Sequence, residues 1–175
     1  MAFSMHAPPS VAGCGMVAIW PRMMYECPKQ VSRRVERMTT RREFQVLSEA
    51  RFKDAVILLE HGRYSSAYYL AGYCIEFALK ACISQQFQSD KIPDKSFVHA
   101  IHTHRPETLM NSSGLLPAFK QACKENSNLE ANWGVVCSWS ESSRYESWDS
   151  FSANSLLVAI SDKDNGVLTW LRNHW

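Results

Sequence analysis

The sequence predicts an all-α protein, a four- to five-helix up-down bundle. From Phe44 onwards apolar residues recur at three- and four-residue steps. No Asn-Gly or Asp-Gly turn joins two alternating strands; the Asn165-Gly166 pair falls inside a helical pattern. No internal repeat occurs. Four main helices with a short fifth, joined with one long connection, are the packing such a pattern supports.

The elements follow in order. Thr39 or Thr40 is expected to cap a helix directly behind Met38, and Thr40 with Glu43 has capping-box spacing. Phe44, Leu47, Ala55, Leu58 and Leu59 form its inner face, and His61-Gly62 ends it. A second helix is expected from about Ser65 to Gln86. Its stripe of Ala67, Leu70, Ala71, Cys74, Ile75, Ala78, Cys82 and Ile83 is rich in small residues, which lets a partner helix come close. Residues 87–97 are polar, contain Pro93 and are expected as a loop. Pro106 suits a first helical turn, so residues 106–112 are expected as a short helix closed by Gly114. Leu115 to Asn126 is a further helix. The apolar run Trp133 to Trp139 is left open between helix and other structure because of Gly134 and the β-branched pair Val135-Val136. Residues 140–150 are expected as a loop and 153–173 as the last helix, with an interruption possible at Asn165-Gly166.

The chain has 175 residues, 46% of them hydrophobic and 21% charged, which fits one globular domain with a real core and excludes collagen-like or wholly disordered chains. Residues 1–37 mix Pro, Gly, Met and Arg without period. They are expected to be a poorly ordered extension or a mis-assigned start, with the folded domain spanning 38–175. The charge divides the same way. Residues 1–42 hold seven basic and two acidic residues; the rest hold 12 basic and 15 acidic. A sequence-independent nucleic-acid binder with a broad basic face is therefore not expected of the body. No run reaches the ~18 apolar residues of a membrane-spanning helix. Val11-Ala12-Gly13-Cys14 resembles a lipoprotein cleavage site, but neither a basic start nor an apolar run precedes it. A cytoplasmic protein is expected.

The six cysteines form no CxxC pair, and Cys74 and Cys82 lie in an apolar helical pattern, where they are expected as buried reduced thiols. Phosphate-cradling glycine loops, GxSxG and HExxH are absent. His99, His102 and His104 are expected at a loop-to-helix junction where one of them bonds backbone groups; no further metal ligands are indicated and no cofactor is implied. Glu76 and Lys80 have the favourable i,i+4 order; Glu76 borders the apolar stripe, and if buried it needs Lys80 or an Arg as partner. Arg144-Tyr145 precedes the last helix. An arginine fork suits phosphate and a tyrosine face suits stacking. Trp139 and Trp148 flank the pair, as nucleobase contacts or, more ordinarily, as packing at the bundle end.

Residues Gly62, Tyr64 and Ala67, followed by Glu76, Ala78, Leu79 and Lys80, resemble the HEPN domain (higher eukaryotes and prokaryotes nucleotide-binding), whose helix, G-x-Y-x-x-A turn and E-x-A-L-K helix they match. Thr103-His104 with Leu109 matches its T-H element, and Arg144-Tyr145 its R-Y. The resemblance spans about residues 40–173. It implies a helical bundle, a possible homodimer, a possible nucleotidyltransferase partner and a toxin-antitoxin or defence setting. RNA-cleaving members carry Arg, four to six residues, then His. No Arg in this chain has a His at that spacing. The expected function is therefore a non-catalytic domain that binds a nucleotide or RNA, or docks that partner. The ligand-binding candidates are Arg144, Tyr145, Glu76, Lys80 and His104. The rivals are a divergent ribonuclease using His102 or His104, and a pure interaction module.

Overall fold

The computed structural model describes residues 39–87 and 91–175. The expected extension over 1–37 and the cysteines Cys14 and Cys27 lie outside the described residues. Among the described residues the protein is all-helical, with eight α-helices and no strand. They are α1 (Arg41–Glu60), α2 (Tyr64–Ser84), α3 (Lys95–Ile101), α4 (Pro106–Ser112), α5 (Leu116–Glu125), α6 (Ser127–Cys137), α7 (Ser150–Ser161) and α8 (Val167–Arg172). A 3-10 turn, Glu141–Tyr145, precedes α7.

The first two helices start and stop where side chains and glycine dictate. Thr40 caps α1: its Oγ1 accepts from the Glu43 N–H at 3.2 Å, and the Glu43 carboxylate accepts from the Thr40 N–H at 2.8 Å. At the other end Gly62 takes φ +69°, where a Cβ would be strained. Arg63 then donates to the Leu58 carbonyl and Gly62 to that of Leu59, closing the helix and turning the chain into α2.

α2 runs through the middle of the core. Ala67, Ala71, Cys74, Ile75, Ala78, Leu79 and Ile83 are all buried. Its small residues admit α1 closely enough for the buried Ser48 hydroxyl to donate to the Cys74 carbonyl at 2.8 Å. On the opposite side the indole of Trp139 lies flat over Gly72. A Cβ there would fall 2.0 Å from the ring, so this position needs glycine. α7 and α8 complete the core with Leu156, Ile160, Leu168 and Leu171.

One expectation is corrected and two that were left open are resolved. The polar stretch 87–97 is not wholly a loop: Asp94 accepts from the Ser96 N–H and starts α3 inside it. The Trp133 run is helical and starts earlier, because the Asn126 side chain accepts from the N–H groups of Asn128 and Leu129. The interruption allowed at Asn165-Gly166 is present, so the last helix is two. Asp162 Oδ1 accepts from the N–H groups of Asp164 and Asn165, which turns the chain before α8. Bundle elements therefore exceed the expected four or five, since the connections are themselves helical. No described helix is long and apolar enough to cross a membrane.

Candidate functional site

The site is built on one face of α2. Tyr69, Tyr73, Glu76 and Lys80 follow one another at four-, three- and four-residue steps, so they line up along the helix. Glu76 is the buried member, only 2% exposed. A carboxylate so placed needs its charge matched. One oxygen accepts from Lys80 Nζ at 2.7 Å and the other contacts His104 Nδ1 at 2.8 Å. His104 comes from the α3–α4 connection, 28 residues further along the chain.

A carboxylate oxygen only accepts, so Nδ1 is the donating nitrogen and Nε2 is left free of this bond. The imidazole is 41% exposed. One of its nitrogens is thus fixed by the protein interior while the ring keeps a face to solvent. The expectation that a histidine of this cluster bonds backbone groups is corrected: His104 bonds a side-chain carboxylate. The backbone-bonding histidines are His61, on the Ile57 carbonyl, and His174, on that of Trp170. His99 and His102 are exposed and separate from the Glu76 contact. Among the described residues no three His, Cys, Asp or Glu side chains converge as a metal would require.

Tyr73 joins this group to Arg144. Its ring meets His104 edge-on at 5.9 Å, and its hydroxyl accepts from the Tyr69 hydroxyl at 3.3 Å. Burial pushes the Tyr73 phenol up, the Tyr69 bond and the Glu76 charge add to this, and the charge of Arg144 opposes it. Arg144 projects from the 3-10 turn into solvent with its guanidinium 4.7 Å over the Tyr145 ring. Tyr145 first, and Tyr69 second, hold the Arg144 guanidinium further toward its charged form. Tyr145 is 78% exposed.

All five sequence-predicted residues therefore occupy this side of α2 and the turn beside it. Glu76, Lys80 and His104 are in direct contact; Arg144 and Tyr145 reach the group through the tyrosines. Sequence reasoning missed Tyr69 and Tyr73, although their spacing from Glu76 and Lys80 marks the same helix face. The two flanking tryptophans belong to the packing. Trp139 is buried over Gly72, and Trp148 stacks on Tyr68 at 3.8 Å while its backbone N–H donates to the Ser65 hydroxyl.

The described cysteines are held toward the thiol form. Burial pushes the Cys74 and Cys82 thiols up to about 12. Cys137 is raised to about 12 as well, by burial and then by Glu107.

Residues 47–130 match the family model of the HEPN domain. The matched stretch runs from α1 into α6; it includes Glu76, Lys80 and His104 and stops short of Arg144 and Tyr145. No curated protein and no solved structure matches the chain.

Proposed function

Since this chain carries a HEPN domain, we propose that it binds the phosphate of a nucleotide or RNA where Tyr69, Tyr73, His104 and Arg144 meet, without cleaving it. The observation that supports this reading most is the fixing of His104 by the buried Glu76, beside the tyrosines that face Arg144. An exposed guanidinium donates to phosphate oxygens, and so does an imidazole that carries a proton on Nε2 while its Nδ1–H stays on Glu76. The exposed Tyr145 ring is suited to stack on a base. The mildly acidic body leaves recognition to this local group rather than to a basic surface. In the cytoplasm, a nucleotidyltransferase-type partner in a toxin-antitoxin or defence system would fit the same reading, as would a homodimer.

Fluorescence anisotropy with labelled nucleotides and short RNAs tests it. Wild-type protein binds, and Arg144→Ala or His104→Ala weakens binding about tenfold, the loss of one charge-assisted phosphate contact. Equal affinity in both variants contradicts the site.

One observation favours a second reading. A carboxylate behind an imidazole is also the arrangement that orients a general base. A divergent ribonuclease would use His104 in that way. RNA that stays intact with the purified chain supports binding alone. Cleavage that is lost in both Arg144→Ala and His104→Ala supports the enzyme. If the chain is instead an interaction module, it takes no nucleotide and forms a stable complex in pull-down.

A further inference from the structure

A neutral imidazole normally places its single proton on whichever ring nitrogen has use for it. His104 has lost that choice. Its Nδ1 lies 2.8 Å from a carboxylate oxygen of the buried Glu76, so the proton of the neutral ring is committed there. Nε2 is left with a bare lone pair, on a side chain that is 41% exposed. A lone pair repels a phosphate oxygen; a second ring proton reverses the sign of that contact.

The groups around His104 do not supply that proton. On α2, Glu76 and Lys80 are engaged with each other at 2.7 Å, and Tyr69 donates to Tyr73. Burial pushes the Tyr73 phenol up, so it does not ionise near neutrality. From the 3-10 turn, Arg144 adds a charge that is not titratable. On the α3–α4 connection itself, His102 and Arg105 are exposed, and Glu107, in the first turn of α4, bonds the Cys137 thiol. Histidine is the side chain whose charge changes between about pH 5 and 8.

Resting on the phosphate reading above, we propose that this site takes a terminal phosphate, a monoester dianion, together with one proton from solvent that is added to His104 Nε2. No bond to phosphorus forms or breaks. Protonated His104 and Arg144 then meet two negative charges with two positive ones, while Lys80 and Glu76 cancel behind them. An internal phosphodiester brings one negative charge, and its chain would run over a body with 15 acidic against 12 basic residues beyond residue 42. A nucleoside monophosphate is the fitting form. The bound state holds the proton and the free state gives it up as pH rises, so affinity falls with rising pH. Below about pH 6 the ligand takes its own second proton, and affinity stops rising.

Isothermal titration calorimetry of the full chain with a nucleoside 5′-monophosphate, in buffers of different ionisation enthalpy, counts the protons. Uptake of roughly 0.5 to 1 proton per ligand is expected near neutrality, and affinity is expected to fall about tenfold between about pH 7 and 9, to that of His104→Ala. His104→Ala takes up none. Glu76→Gln lets the ring move its proton to Nε2, so this variant binds with most of the uptake lost and a shallower pH profile, a change that a loosened fold alone would not produce. The phosphate methyl ester of the same nucleotide, and a short RNA without a 5′-phosphate, bind about tenfold more weakly, the loss of one charge-assisted contact. The same RNA with a 5′-phosphate binds no better than the mononucleotide. Binding without proton uptake, uptake unchanged in Glu76→Gln or His104→Ala, a methyl ester as tight as the monoester, or a phosphorylated RNA tighter than the mononucleotide overturns this inference and leaves the phosphate reading standing. Absence of binding at every pH overturns both.

Discussion

Glu76 illustrates how a single residue ties folding to the site. Its carboxylate sits in the interior, and both oxygens are used, one by Lys80 and one by His104. The two partners are less buried than the carboxylate they serve, which makes the cost of breaking the group asymmetric. Lys80→Met leaves a buried charge with half its compensation and is expected to destabilise by about 3 kcal/mol. Glu76→Gln removes the buried charge and lets Lys80 and His104 turn to water, so roughly 1 kcal/mol is expected. Urea denaturation of the two variants checks the order; a Glu76→Gln loss larger than that of Lys80→Met would contradict it. At this scale the sequence revealed half of the group. The i,i+4 spacing of Glu76 and Lys80 is visible in one helical turn, and the apolar neighbours Cys74, Ile75 and Ala78 hint at burial. The bond to His104 joins residues 28 apart, and only the path of the α3–α4 connection brings them together.

Among the elements, legibility followed the strength of the end signals. Thr40 and Glu43 start α1, Gly62 stops it, and Pro106 opens α4, each by a local bond or torsion that is written in adjacent residues. The helix that escaped notice, α3, starts on Asp94 inside a polar stretch that reads equally well as loop, and α6, left open, starts on Asn126, which also reads as the end of the helix before it. Caps also give the helices a measurable dependence on pH. Thr40→Ala is expected to cost about 1 kcal/mol at any neutral pH. Asp149 caps α7 by accepting from the Ser152 N–H at 2.7 Å, which holds its carboxyl below the ordinary aspartate value. A depressed folded pKa contributes stability above the unfolded pKa, near 4, and that contribution disappears as pH falls through the folded value. Asp162 behaves alike through Asn165 and Asp164. Thermal melts at stepped pH should show Asp149→Asn losing less stability on acidification than the wild type; a parallel fall in both would contradict the cap's role.

For the whole molecule, the helical class was legible because hydrophobic period is set by a shared core, to which the predicted stripe on α2 contributes Ala67, Ala71, Cys74, Ile75, Ala78, Cys82 and Ile83. The number of helices was not, because breaks such as the one at Asp162 depend on a side chain capturing its own backbone rather than on the period. With 15 acidic against 12 basic residues beyond residue 42, the proposed binding would rely on a few placed groups rather than on a basic face, with Glu76, Lys80, His104, Tyr69 and Tyr73 as its inner part and Arg144 with Tyr145 as its exposed part. NMR observation of the His104 imidazole nitrogens during titration with a nucleotide tests this most directly. Binding at the site predicts that the Nε2 resonance moves as ligand saturates and that Arg144→Ala weakens this saturation, while Nδ1 remains bonded to Glu76. A nucleotide that binds while the His104 nitrogens stay unmoved would contradict it.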